Sequence, residues 1–276
     1  MDLFLFDPEQ LAALAAANAA TYRSAEPFPH IVLDDFLPDA VFAELVASFP
    51  GPDELAWVHF DGEHERKLAS DAPTDLPPFA QHVLSQFNAA AMVEFLEALT
   101  GIEGLIPDPH LWGGGLHQIE PGGHLDVHTD FNWHQRLLLD RRLNLLLYLN
   151  EDWRPEWGGD FELWDTSLTA CRERVAPLAN RCVIFSTSDR SFHGHPTPLA
   201  CPPGRTRRSL ALYYYSNGRP ADEIGPSSST VFRPREGDVW RRPGTAPRDR
   251  ILRWAPPALV DVARTARDRL RRRDAD

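Results

Sequence analysis

The sequence predicts a mainly β protein, a sandwich or jelly roll carried on a helical N-terminal region. Three observations predict it. Short β-type runs, each bounded by Gly, Pro, Asn or Asp, follow one another between about residues 105 and 216. Runs with helix-start and helix-face signals fill the stretch before Gly101. A Pro-, Gly- and Arg-rich stretch after Ser216 leads to a closing run of helical character.

Taken in order, Asp7 is placed to cap a helix starting at Pro8, and the run Gln10–Tyr22 is rich in alanine. A second helix is expected after Pro38-Asp39, where Val41, Phe42, Leu45 and Val46 are spaced for one buried face. A third spans roughly Pro78–Leu99 and stops near Gly101. The strand-like runs are Leu116–Ile119, His124–His128, Leu143–Leu149, Phe161–Trp164, Arg174–Leu178, Cys182–Phe185 and Ser209–Tyr215. Pro and Arg enrichment at Phe232–Arg250 reads as surface loop, with a mobile cover over a site as the competing reading. The expected organisation is a single domain, 1–276. It has a mostly helical support region at 1–104, a jelly-roll core at 105–216 and a loop-rich extension with a terminal helix at 217–276.

Composition excludes several classes of function. A formal charge of −12 argues against a general nucleic-acid binder, because phosphate contact needs a basic field. The arginines between Arg264 and Arg273 read as a solvated helix face rather than a patch for an anionic partner. The longest apolar stretches, such as Leu11–Ala20 and Leu143–Leu149, fall short of the roughly 20 residues that span a bilayer. Met1-Asp2-Leu3 lacks the basic start of a signal peptide. Cys171, Cys182 and Cys201 show no paired spacing, which fits a reducing cytoplasm. A cytoplasmic protein with no membrane or nucleic-acid partner is therefore expected.

The chemistry-bearing stretch begins at Pro121-Gly122-Gly123-His124-Leu125-Asp126-Val127-His128-Thr129-Asp130. Residues two apart on a strand share a face, so His-x-Asp brings an imidazole and a carboxylate to one point. A distant His completes a 2-His-1-carboxylate set, which holds Fe(II) and leaves positions open for cosubstrate and dioxygen. Two such pairs exist, His124/Asp126 and His128/Asp130, with the same parity on a regular strand. Downstream, Ser191-Phe192-His193-Gly194-His195-Pro196 offers two candidates for the distal ligand. On the final run, Arg207 shares a face with Ser209, Ala211 and Tyr213, whereas Arg208 lies with Leu210, Leu212 and Tyr214. A guanidinium fork beside a hydroxyl suits a buried carboxylate, so Arg207 and Ser209 are the favoured pair.

In order and spacing, several segments over roughly Leu116–Ser216 resemble the Fe(II)/2-oxoglutarate-dependent oxygenase superfamily, in its prolyl 4-hydroxylase-like branch. They are the glycine-led His128-x-Asp130, Arg142 with Leu147-Tyr148-Leu149-Asn150, Gly158-Gly159-Asp160-Phe161-Glu162-Leu163, Phe192-His193, and Arg207-x-Ser209-Leu210. Pro27–Phe36 is similar to the lead-in common in that branch. The resemblance implies a double-stranded β-helix (jelly roll) flanked by helices. It also implies iron ligation by His128, Asp130 and His193 rather than His124, Asp126 or His195. The cofactor is then Fe(II), and the cosubstrates are 2-oxoglutarate and dioxygen, with Arg207 and Ser209 on the far carboxylate of 2-oxoglutarate. The implied reaction hydroxylates an unactivated C–H bond of an amino-acid-like, peptidyl or small-metabolite substrate, releasing succinate and CO2. Related halogenases have Gly or Ala where Asp130 stands, so hydroxylation is expected over halogenation.

One departure concerns the strand before His128, which reads Leu116-His117-Gln118-Ile119 without the Tyr often found there to hold the cosubstrate. Tyr148 and Asn144, same-face neighbours on the next strand, either take that place or are ordinary inner-face polar residues. Trp133, just beyond the ligand pair, is a candidate substrate contact, while large aromatics elsewhere read as core or rim. His30, His82, His110 and His134 read as hydrogen-bonded structure. The alternative is a cupin-like metal-binding jelly roll, which needs no Arg-x-Ser on its last strand. A zinc hydrolase would need a general base, and none is evident.

Overall fold

The computed structural model describes residues 4–220, 223, 228–235 and 238. Internal contacts divide the chain into two units, Met1–Glu236 and Gly237–Asp276, and every helix and strand among the described residues lies in the first. The expected terminal helix and the arginines at 264–273 lie outside the described residues. Among the described residues, no helix is long and apolar enough to cross a membrane.

Among the described residues there are four α-helices, interleaved with the first three strands: α1 (Pro8–Ser24), α2 (Asp39–Ala47), α3 (Pro78–Phe87) and α4 (Ala90–Thr100). The Asp7 carboxylate caps α1 by accepting from the backbone N–H of Glu9 at 2.9 Å. The single helix expected over Pro78–Leu99 is two. It breaks at Asn88, whose side-chain amide donates to the carbonyl of Asp108 at 3.2 Å. Asn competes with the helix for such partners, and the competition wins here. Gly101, at φ +78°, ends α4 in the left-handed conformation that costs glycine little.

The strands are β1 (His30–Leu33), β2 (Val58–Asp61), β3 (Glu65–Ala69), β4 (Ile106–Pro107), β5 (Gly115–Ile119), β6 (His124–Thr129) and β7 (Trp133–His134). There follow β8 (Leu139–Tyr148), β9 (Phe161–Trp164), β10 (Cys171–Val175), β11 (Cys182–Ser186), β12 (His193–His195), β13 (Arg207–Ser216) and β14 (Val231–Phe232). They form one antiparallel sheet in the order β1-β11-β8-β13-β5-β3-β6-β12-β9-β10, with β2, β4, β7 and β14 attached at its margins. The order is that of a nearly closed jelly roll. Two differences from the sequence reading stand out. The segment 1–104 supplies three strands as well as helices, and β3 joins β5 and β6 by pairings across more than forty residues that no local pattern announces. The strand expected at Arg174–Leu178 instead ends at Val175, just before Ala176-Pro177, where proline has no N–H to give the ladder.

Alternation along β8 and β13 separates two interiors. Leu143, Leu145, Leu147, Leu210, Leu212 and Tyr214 are buried in one cluster with the apolar faces of the helices. Asn144, Leu146, Arg207, Ser209, Ala211 and Tyr213 point the other way and line a cavity inside the roll. Each fully buried leucine contributes roughly 1.5–3 kcal/mol. A one-residue slip would exchange that row for Asn144 and Arg207, so the helix-facing leucines hold the cavity-facing polar residues in register.

Candidate active site

His128 on β6, Asp130 directly after it and His193 on the neighbouring β12 come together. One ligating atom from each lies within 4.8 Å of the others, and His128 is paired directly with His193 across β6 and β12. Gly194 makes this approach possible. A Cβ there would lie 2.8 Å from the carbonyl oxygen of Leu125 and 2.9 Å from that of Asp126, so any side chain would push β12 away from β6.

The ladder also separates the two His-x-Asp pairs. From His193 to His195 the partner on β6 moves from His128 to Leu125, three residues against two. The extra residue on β6 is a bulge, and it reverses which side chains face inward beyond it. Leu125 therefore lines the cavity with His128 and Asp130, and His124 and Asp126 do not. Asp126 instead meets His64 Nδ1 at 3.0 Å, and His124 Nε2 lies 3.3 Å from the carbonyl of Glu63.

Both inward imidazoles have their tautomer set by the backbone. His128 Nδ1 lies 2.8 Å from the carbonyl of Asp126, and His193 Nδ1 lies 2.8 Å from that of Ser191. Carbonyls only accept, so each Nδ1 carries the proton and each Nε2 presents a lone pair. Those lone pairs face a carboxylate: His128 Nε2 is 3.7 Å from Asp130 Oδ1, and His193 Nε2 is 3.3 Å from Oδ2. Burial and the neighbouring His193 hold the His128 pKa below its ordinary value, against the pull of Asp130. Three electron-rich groups gathered in this way fit a bound cation, and two imidazoles with one carboxylate fit Fe(II).

Asp130 is held from behind. Asn144 Nδ2 donates to Oδ2 at 2.7 Å, and Arg141 Nη2 stands 3.3 Å from the same oxygen. Arg141 in turn donates through Nε to Asn144 Oδ1 at 2.9 Å, and its guanidinium lies between the rings of Tyr213 and Phe131, at 3.5 and 4.4 Å. Burial alone would raise the Asp130 pKa. Arg141, His193 and the two imidazole contacts outweigh it and keep the group well below the ordinary carboxylate range.

At about 80 Å³ the cavity is small, and Arg207 and Ser209 share its wall with the three ligand candidates. Arg207 is 5% exposed. Its Nε donates to the carbonyl of Gly159 at 2.8 Å and its Nη2 to the hydroxyl of Tyr148 at 3.2 Å. Gly159, at φ +79°, is needed where it stands, since a Cβ would meet Leu199 Cδ2 at 2.6 Å and Arg207 Cδ at 3.1 Å. Both partners of Arg207 are neutral, and among the described residues no carboxylate pairs with it. A buried charge left uncompensated costs roughly 3–5 kcal/mol. Tyr148 thus meets Arg207, and Asn144 meets Asp130.

Sequence reasoning passed over Lys67 and Arg141 here. Lys67, from β3, lines the cavity together with His117 and His195. His195 is buried with neither ring nitrogen partnered, and burial, with Arg207 and Lys67 nearby, keeps it neutral. Burial and Lys67 push the His117 pKa down to about 3. Lys67 and His117 also belong to a wider groove of about 650 Å³, whose walls include Val58, Phe60, Trp112 and Arg136. Trp133 lies on β7 opposite Asp140 and is not among the residues lining either space. Arg141 stands three residues from Asn144, which on a regular strand would put it on the opposite face; a register shift in the β8–β13 ladder between Leu143 and Arg141 brings it to the same side, and the sequence carries no signal for it. Lys67 had none.

Residues 114–215 match the family model described as the 2OG-Fe(II) oxygenase superfamily. No curated protein matches the chain in sequence. Among solved structures, it is similar in fold to a prolyl hydroxylase from Trichoplax adhaerens, in complex with a peptide fragment of the hypoxia-inducible-factor oxygen degradation domain. That match has a TM-score of 0.55 and 13% identity, covering 75% of this chain and 91% of that one. A prolyl 4-hydroxylase from Phytophthora capsici is similar with a TM-score of 0.50 and 19% identity, covering 77% and 66%. At such identities the likeness is one of fold. The family match spans β6, β12 and β13, with His128, His193 and Arg207 on those strands and Asp130 directly after β6, and residues 114–215 are a 2OG-Fe(II) oxygenase domain.

Proposed function

We propose that this dioxygenase hydroxylates an unactivated C–H bond of an amino-acid-like, peptidyl or small-metabolite substrate. In this reading His128, Asp130 and His193 hold Fe(II), and Arg207, with Ser209 beside it, receives the distal carboxylate of 2-oxoglutarate. When bound, the iron supplies the activation of dioxygen that turns 2-oxoglutarate into succinate and CO2 and oxidises the substrate. The chain's own residues position and exclude. The carbonyls of Asp126 and Ser191 hold the two imidazoles with Nε2 inward, and Asn144 and Arg141 fix the carboxylate of Asp130. Tyr148 orients Arg207. The substrate enters along the groove, past Lys67 and His117, with Phe60 and Trp112 as its apolar walls.

The observation that carries this reading is Arg207: a buried cation whose partners among the described residues are neutral, in the same small cavity as the ligand set. A cupin-like jelly roll would leave that charge without a purpose. Calorimetric titration of 2-oxoglutarate into Co(II)-loaded protein tests it. Binding by the wild type should weaken by about 30-fold or more in Arg207→Met, the loss expected for one side of a buried charge pair. Equal binding by the two proteins would overturn the assignment.

A further inference from the structure

The metal-side wall of the roll is completed by a segment from beyond the jelly-roll core. One edge of β6 is taken by β12. On the other edge, β3 pairs only at His124 and Leu125. Where the ligand candidate His128 stands, the neighbour is β14, with Val231 opposite Thr129 and Phe232 opposite His128. Directly opposed residues project to the same face, so Phe232 lies on the side of the His128 imidazole. The rings are 5.4 Å apart at 47°, and on its other side Phe232 stacks on His64 at 5.2 Å and 28°. His64 is itself anchored through Asp126, the carboxylate that the bulge turned outward.

Hydrogen bonds beside the ladder itself also tie the segment down. Arg233 N donates to the carbonyl of Val127 at 3.0 Å, Ser228 N to Asn132 Oδ1 at 2.8 Å, and Asn132 N to the carbonyl of Ser228 at 3.3 Å. Val231 and Phe232 are only partly buried. So short a ladder opens far more readily than the ten-residue strands β8 and β13.

We propose that Phe232 is a positioning residue of the metal centre: its ring clamps the His128 imidazole against His193 and closes the ligand from water where β3 ends. The His128 ring has its Nδ1 tied to one carbonyl, and its faces are set by His193 at 4.5 Å and by Phe232. Without Phe232, one face of the ligand is open and the imidazole has one restraint fewer, so a bound metal escapes faster. The inference rests on the ligand set proposed above.

The test is the rate at which excess EDTA strips Co(II) from the full-length protein, followed through the visible bands of the metal. Supporting contacts of this kind change metal affinity by about 10–100-fold. Phe232→Ala should therefore release the metal at least about tenfold faster than wild type, and Phe232→Tyr should restore the slow rate. Thermal unfolding of the metal-free variants reports on the fold. Should Phe232→Ala unfold, Phe232→Leu takes its place, with faster release again expected. A wild-type rate in a folded Phe232→Ala or Phe232→Leu overturns the role of Phe232. Failure of the wild type to bind Co(II) better than His128→Ala would instead overturn the metal site itself.

Discussion

The pairs His124/Asp126 and His128/Asp130 have the same residue types at the same spacing, four residues apart on one strand, and only one of them faces the cavity. The first pair is spent on local structure: Asp126 anchors His64, and His124 reaches the carbonyl of Glu63. The second faces His193, with its tautomer set from behind by a backbone carbonyl and its carboxylate held by Asn144 and Arg141. A single extra residue in β6 separates these fates. A metal-ligand spacing is thus a statement about a regular strand, and one bulge is enough to cancel it.

The sharpest way to break this comparison is to exchange the losses. His128→Ala or Asp130→Ala should abolish Co(II) uptake measured by spectroscopic titration, whereas His124→Ala and Asp126→Ala should keep it. The reverse pattern would mean that the inward and outward pairs have been confused.

Next in size is the effect at the cavity wall. If Arg207 is kept for a ligand and not for the fold, Arg207→Met should leave the ligand-free protein as stable as wild type or more so, because it removes the desolvation cost of a buried charge that no carboxylate offsets. A drop in thermal midpoint without ligand would make Arg207 structural.

Smaller again is the support of the carboxylate. Asn144→Leu removes one donor to Asp130 Oδ2 and should weaken Co(II) binding by about 10–100-fold with the fold retained. An unchanged affinity would show that Arg141 alone suffices.

The smallest effect lies far from the site. A bidentate contact from Arg181, at 2.6 and 2.9 Å, lowers the pKa of Asp34, with burial opposing and the Arg181 charge assisting. A depressed carboxyl stabilises the fold above its ordinary unfolded value and loses that contribution as pH falls through the folded value. Because Asp34 is largely exposed, Asp34→Asn should cost at most about 1 kcal/mol near neutral pH and nothing in strong acid, read from urea unfolding at the two pH values.

Much of the fold was legible because alternation is local. Leu143, Leu145 and Leu147 against Asn144 and Tyr148, and Leu210 and Leu212 against Arg207 and Ser209, already separate a helix-facing row from a cavity-facing one. Lys67 and Phe232 were not legible. Each reaches the site through pairing of strands distant in sequence, and neither carries a pattern that says where its edge will dock. The bulge in β6 was invisible for a related reason, since nothing in His124–Thr129 marks where the ladder shifts. The break at Asn88 did have a local signal, an Asn where a helix interior was expected.

The most direct test of the central claim is an anaerobic titration of the protein with Fe(II) and then 2-oxoglutarate, watching for the weak visible charge-transfer band of the chelated cosubstrate. The wild type and His124→Ala should develop the band, and His128→Ala should not. Absence of the band in folded wild-type protein, or its survival in His128→Ala, would contradict the account.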